Sequence, residues 1–374
     1  AQYCAEDGLS TDWHLVHYGA RGVGGAGLIN TEMLCVSADG RITPGCAGLW
    51  NDEQTGKWKR IVEFIHANGE AKVCAQIGHA GRKAATCIPW EGGIDQPLAN
   101  GAWEIFSASS IPYLKTSQVP TEVSRVNMDA IRSDFVRAAE NADHANFDMI
   151  ELHFAHGYLL SSFISPYTNR RTDEYGGDID NRMKYPLEVL NAVRQVWPID
   201  KPISVRVSAT DWLDDGLCED DMLSMVKMLK NNGVDIINVS TGQVAKEEEP
   251  IYGRMFQVPF SDQIRNDVGI ATIVAGNIST VDQVNTIVAA GRADIIAMAR
   301  PIMNDPHFVL NAAAHYQYKA KYWPPQYISG KFAAQAKANK DETEELQLRL
   351  SAKPPNPMES LAIAIARGDV PSEK

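Results

Sequence analysis

The chain has 374 residues, 44% hydrophobic and 22% charged, which are ordinary globular proportions and exclude a disordered, collagenous or coiled-coil chain. Its 35 Lys and Arg against 47 Asp and Glu give a net charge of -12, which repels phosphate backbones and anionic lipid, so neither nucleic acid nor a membrane is an expected partner. Six cysteines at 4, 35, 46, 74, 87 and 218 form no C-x-x-C pair, which fits reduced thiols in the cytoplasm, and no stretch approaches the roughly 18 apolar residues of a membrane span.

In chain order, Ala1 and the segment Tyr3-Cys4-Ala5-Glu6-Asp7-Gly8 read as a loop already in progress, a cut through a larger polypeptide whose missing piece contains the first strand. Seven short runs rich in Val, Ile and Leu follow, at 27–31, 71–77, 149–153, 203–208, 235–240, 272–275 and 294–299. Such runs suit strands buried on both faces of a parallel sheet. Segments of helical period separate them. Met128, Ile131, Phe135, Ala138, Ala139 and Ala142 form one i, i+3, i+4 stripe, ending in a turn at 144–146.

Seven such units are one short of an eightfold (β/α)8 TIM barrel, which the absent first strand would complete. In that fold polar residues at strand C-termini are catalytic candidates. The rule selects Glu32, Gln76, His79, His153, Arg206, Ser240, Gly276 and Arg300. An insertion at 85–127, rich in Pro, Gly, Ser and Trp, is too long for a bare connection and is expected to fold over the mouth as a lid after the third strand. The barrel is expected over 1–321 and a peripheral helical tail over 322–374, with a charged helix between Trp323-Pro324-Pro325 and Pro354-Pro355-Asn356-Pro357.

The densest chemistry is Glu151-Leu-His-Phe-Ala-His-Gly-Tyr158. Two imidazole donors, His153 and His156, can polarise a carbonyl oxygen, and the phenol of Tyr158 stays protonated at neutral pH and can deliver a proton. The bland alternative is a histidine packed beneath the loop. With His79 three imidazoles would also suit zinc, but no acidic residue with an evident ligand role lies beside them. Arg206, inside an apolar strand, needs an anionic ligand or an acidic partner such as Glu32 or Glu151. Gln76 offers an amide suited to a planar heterocycle. Gly276 and Arg300, at the last two strand ends, suit a phosphate, and together these residues suggest a flavin mononucleotide.

Segments 152–160 (LHFAHGYLL), 163–182 (FISPYTNRRTDEYGGDIDNR), 76–83 (QIGHAGRK) and 205–211 (VRVSATD) together resemble the Old Yellow Enzyme family of FMN-dependent ene reductases, over roughly residues 1 to 310. Within it, segments 41–46, 252–256 and 323–327 look most like the reductase half of anthraniloyl-CoA and salicyloyl-CoA monooxygenases, in which a fused flavin monooxygenase domain lies upstream. The resemblance implies FMN across the mouth: Gln76 at its pyrimidine edge, Arg206 at N1/O2, Gly276, Asn277, Ala299 and Arg300 at the phosphate, and Ala1 and Met33 among the remaining contacts. Relatives often carry Cys or Thr where Ala1 stands, and alanine cannot make that hydrogen bond to the flavin. His153 and His156 match the pair that binds the substrate oxygen, Tyr158 the proton donor, and Tyr3 an aromatic of the substrate pocket. The implied reaction passes hydride from NAD(P)H through flavin N5 to an activated C=C.

The leading substrate expectation is a dearomatised aryl-CoA intermediate, a CoA thioester. Two alternatives stand beside it: a stand-alone NADPH enone reductase of broad specificity, and a flavin-free docking domain of a fused monooxygenase. Self-association into a homo-oligomer is compatible with each.

Overall fold

The computed structural model describes residues 1–320 and 322–351. Pro354 to Pro357, placed by the sequence beyond the tail helix, lie outside the described residues. The strands come in the expected order: β1 Leu28–Asn30, β2 Leu34–Cys35, β3 Lys72–Gly78, β4 Met149–Phe154, β5 Ile203–Ser208, β6 Ile236–Ser240, β7 Ala271–Val274 and β8 Ile295–Ile296. β1 and β2 pair with successive parts of β3, so they fill one position, and every pairing from β1 to β8 is parallel. The result is seven strand positions of the (β/α)8 class.

Helices alternate with the strands, and side-chain caps start several of them. Asn51 Oδ1 accepts the Gln54 N–H at 2.9 Å to open Asp52–Asn68, and Asp178 Oδ1 accepts the Asn181 N–H at 2.9 Å to open Ile179–Val196. The helix Arg125–His144 begins with a Ser124–Asn127 capping box and buries the whole stripe from Met128 to Ala142. It therefore starts inside the segment assigned to the lid, which ends at Ser124, because that capping chemistry outweighs the polar composition of residues 125–127.

Strand alternation divides the apolar residues into two sets. Ile150, Leu152, Val205, Val207, Ile237 and Val239 point outward into the main core, which also takes the buried helix faces. Cys74, Met149, Ile236 and Ile273 point inward and close the barrel floor. Among the described residues β1 and β8 do not pair with each other. The seam between them opens onto a cavity of about 1150 Å³ whose walls include Ala1, Leu28, Ile29, Ile295 and Ile296.

The segment after β3 carries the short helix Pro89–Gly92 and a two-stranded ribbon, Phe106–Ser107 with Thr121–Glu122. Arg171 Nη1 ties that ribbon down through the carbonyls of Ala108 at 3.1 Å and Val123 at 3.0 Å. The chain divides into two units, Ala1–Val309 and one beginning at Leu310. In the second unit a 24-residue helix, Ile328–Ser351, follows a 3-10 turn at Pro325–Tyr327. Among the described residues no helix is long and apolar enough to cross a membrane.

Candidate active site

Register assembles the barrel interior. Gln76 stands opposite Glu151 and Glu151 opposite Ser204; one step up, His153 stands opposite Arg206 and Arg206 opposite Asn238. Partners in parallel strands share a face, so these side chains all turn inward. The fully buried Glu151 carboxylate accepts from Gln76 Nε2 at 2.7 Å, Ser204 Oγ at 2.8 Å, Asn238 Nδ2 at 2.9 Å and Asn30 Nδ2 at 3.3 Å. Four neutral donors from four other strands satisfy it.

Arg206 enters no such bond: its Nε is buried without a hydrogen-bond partner. The two carboxylates considered for it are engaged elsewhere. Glu32 accepts from the Gln2 N–H at 2.8 Å and Tyr18 OH at 3.2 Å and lies 3.4 Å from His14 Nε2, while Glu151 takes the four donors above. Enclosure pulls the guanidinium pKa down, and the charge of Glu151 opposes that shift.

Above this row the chain leaves β4 through His156 at φ 65° and Gly157 at φ 70°. The left-handed pair folds His156 back beside His153, with rings 5.0 Å apart and His156 Nδ1 3.3 Å from His153 Nε2. His153 Nδ1 accepts the Ala155 N–H at 3.2 Å, and His156 Nε2 lies 2.7 Å from Ser240 Oγ. The Tyr158 ring stands edge-on to His153 at 4.9 Å and to His156 at 6.4 Å. Burial, reinforced by Arg206 and Lys83, holds both imidazoles well below their ordinary pKa, so both are neutral. Burial likewise holds the Tyr158 phenol well above its own, with Tyr3 adding to the shift. The site therefore offers neutral donors and one protonated phenol.

Met33 and Tyr3 reach the same place. Met33 is buried with Cys35, Cys46 and Ala80, and Tyr3 and Tyr158 pack on that cluster. A side chain at Gly78 would collide with Met33 Sδ at 2.7 Å, so Gly78 lets Met33 lie beside His153. Gly276 and Asn277 follow β7 at φ 105° and 55°, while the exposed Ala299 and Arg300 follow β8. The φ of 105° is what calls for glycine at 276, and a Cβ there would also press on the Gln257 side chain at 3.0 Å. Ala1 lines the seam cavity together with Glu32 and Ala299. His79 is buried, with Nδ1 accepting the Gly81 N–H at 3.0 Å, and burial lowers its pKa to about 4.

Three residues of the site escaped sequence reasoning. Lys83 is buried and its Nζ donates to the carbonyls of His156 at 3.1 Å and Gln243 at 3.0 Å, both left-handed residues at φ 65°. Its ammonium also faces the Tyr113 ring at 4.3 Å and the Tyr158 ring at 5.3 Å. Arg82 donates to Ile111 and Pro112 in the lid and to Val244 after β6, so neighbouring cations clip the lid and two mouth loops together. The signal was the Arg-Lys pair in the loop that follows a barrel strand, at the end of GHAGRK. Gln257, whose Nε2 donates to Ser240 Oγ at 3.3 Å and Thr241 Oγ1 at 3.1 Å, left no sequence signal.

Residues 2–319 match the model of the NADH:flavin oxidoreductase / NADH oxidase family. An NADPH dehydrogenase of Listeria innocua is 42% identical over 308 residues, which is 82% of this chain and 86% of the relative. Another, of Geobacillus thermodenitrificans, is 37% identical over 325 residues, 87% of this chain and 90% of the relative. Among solved structures, morphinone reductase in complex with tetrahydroNAD superposes with a TM-score of 0.67 at 25% identity, covering 87% of this chain and 86% of that one. A 2-naphthoyl-CoA reductase complex superposes with a TM-score of 0.73 at 22% identity, a likeness of fold. This chain spans about half of that one, 48%, and the match covers 82% of this chain.

Proposed function

Because the chain belongs to the NADH:flavin oxidoreductase / NADH oxidase family, and is thus an NAD(P)H-dependent FMN oxidoreductase of the Old Yellow Enzyme type, we propose that its barrel mouth is built for reduction of an activated alkene, with each role falling on a residue described above. The carrying observation is Arg206, a cation with a buried, unbonded Nε on the row of His153. A half-buried guanidinium whose enclosed Nε has no protein partner calls for an acceptor, and the electron-rich N1/O2 edge of FMN is one.

The other residues fit the same group. Gln76 gives one N–H to Glu151, and its carbonyl oxygen is left as an acceptor suited to a ring N–H. Met33 borders the ring, and Gly276, Asn277, Ala299 and Arg300 receive the phosphate, with the Arg300 guanidinium as its cation. Ala1 meets the cofactor edge on the seam side. Bound there, FMN supplies hydride transfer between a nicotinamide and the alkene. His153 and His156 hold the substrate's carbonyl or phenolate oxygen, Tyr3 lines the pocket, and Tyr158 gives its proton to carbon.

For the substrate we read a dearomatised aryl-CoA thioester, on the likeness of segments 41–46, 252–256 and 323–327 to CoA-ester monooxygenase reductase halves, in which a fused monooxygenase domain precedes the barrel. A second reading is reduction of small enones by a stand-alone enzyme; its support is that the match spans 86–90% of the length of relatives named NADPH dehydrogenase. The deciding experiment loads the purified protein with FMN, bleaches it anaerobically with NADPH, and follows reoxidation by cyclohexenone and by a dihydroaryl-CoA ester. Faster reoxidation by the CoA ester supports the first reading, and faster reoxidation by cyclohexenone the second. Reoxidation by neither ends the proposal.

A further inference from the structure

His153 and His156 differ in what fixes their far nitrogens. The Ala155 N–H occupies His153 Nδ1 at 3.2 Å, so the neutral ring carries its proton on Nε2, aimed at His156 Nδ1 3.3 Å away. In that arrangement His156 Nδ1 accepts, and its own proton sits on Nε2, 2.7 Å from Ser240 Oγ. Binding a ligand oxygen with both rings demands the opposite polarity at His156. Nδ1 must then donate alongside His153 Nε2, and Nε2 becomes a bare acceptor facing the buried Ser240.

A hydroxyl can face either tautomer, since it holds one rotatable proton and two lone pairs. Ser240 is held in place for this: Gln257 Nε2 donates to one of its lone pairs at 3.3 Å and to Thr241 Oγ1 at 3.1 Å, and all three residues are buried. One lone pair and the hydroxyl proton are thereby left for His156.

We infer that Ser240, oriented by Gln257, is a positioning residue that sets the tautomer of His156, accepting from Nε2–H while His153 bonds His156 directly and donating to Nε2 when a ligand oxygen takes both ring protons. The change moves one proton from Nε2 to Nδ1 of the same neutral ring by exchange with water, so proton count and charge are unchanged. This rests on the reading of His153 and His156 as the oxygen-binding pair. Without the hydroxyl, the ligand-binding tautomer leaves a buried acceptor facing a methyl group, the kind of unmade bond that costs roughly a factor of ten or more in binding.

The test uses FMN-loaded protein with ¹⁵N-labelled histidine and 4-cyanophenol as the probe. On phenol binding, the His156 ring signals, identified by their loss in His156→Gln, should change from a protonated Nε2 to a protonated Nδ1. Calorimetric titration should show phenol affinity falling tenfold or more in Ser240→Ala and staying near wild type in Ser240→Thr, which keeps the hydroxyl. The inference alone fails if Ser240→Ala binds phenol as the wild type does, or if His156 keeps its Nε2 proton in the wild-type complex. Wild-type protein that binds no phenol overturns the oxygen-pair reading and this inference with it.

Discussion

His153 and Arg206 stand opposite each other across two parallel strands, and the positive charge of Arg206 adds to burial in keeping the His153 ring unprotonated. One cation thereby serves two surfaces. It leaves an unbonded Nε free for the proposed cofactor edge and biases the imidazole pair toward the neutral form that the proposed oxygen-binding role requires.

Arg206→Met keeps an unbranched apolar stem and removes the charge. FMN affinity should fall roughly tenfold or more, the usual cost of losing a hydrogen bond to a charged group. The reduction potential of the flavin that does bind should move down, because a fixed cation beside N1/O2 favours the anionic reduced form. Fluorescence titration of FMN and potentiometry check the two parts. An unchanged potential in a variant that still binds FMN would assign Arg206 a purely structural place.

Replacing both His153 and His156 by Ala removes the proposed oxygen donors and leaves Gln76, Arg206 and the proposed phosphate loops intact. NADPH should still bleach the flavin at near the wild-type rate, while enone reduction slows by about 10²-fold or more. Stopped-flow separation of the two half-reactions reads both numbers. Equal collapse of both would mean that the pair serves the nicotinamide or the fold.

Lys83 gives a pH signature in stability. Burial depresses its pKa from 10.5 to about 8, with the charge of Asp95 opposing. Below pH 8 the ammonium is charged in both the folded and unfolded chains, so its burial penalty is fully felt. Between pH 8 and 10.5 the unfolded chain holds the proton and the folded one does not, so stability rises with pH across that window by at most about 3 kcal/mol. Lys83→Met lacks this contribution. Urea unfolding at pH 7.5 and 10 should show the wild type gaining on the variant at the higher pH. A difference between the two proteins that does not change with pH would place the Lys83 pKa near its ordinary value.

The seven strands could be read from the sequence because buried parallel strands write themselves as short Val and Ile runs, and Gln76 and Arg206 stood out as polar interruptions of those runs. Glu151 was visible as a residue, but its function as a shared acceptor was not. Its donors Asn30, Gln76, Ser204 and Asn238 come from four strands far apart in sequence, and only the curvature and register of the sheet bring them together. Gln257 was silent for the same reason. The longest family signature, at 163–182, proves architectural at several of its residues. Asn169 Nδ2 donates to the carbonyls of Phe163 and Tyr175, both at 2.7 Å, Arg171 holds the lid ribbon, and Arg182 Nη1 donates to the Ile164 carbonyl at 2.6 Å. A motif can identify a family strongly because it shapes a loop, while the chemistry rests on a few side chains beside it.

Tyr158 is the residue on which the order of events turns. Its ring lies 4.9 Å from His153, and burial with neighbouring Tyr3 keeps its phenol protonated throughout the neutral range, so it is an acid available for transfer to carbon. Tyr158→Phe preserves the ring and its contact with Met33's cluster and removes the hydroxyl alone. Enone-driven reoxidation of the reduced enzyme should slow by 10²–10⁴-fold if the phenol is the general acid, and by less where water can substitute for it. Phenol binding should survive, because on the proposed reading the ligand oxygen is held by His153 and His156. The loss should also be flat between pH 6 and 8, since a phenol raised well above 10 does not titrate there. Enone turnover and phenol titration in the same variant separate the outcomes. Full turnover removes Tyr158 from the chemistry, whereas loss of phenol affinity along with turnover makes it a residue that positions the ligand.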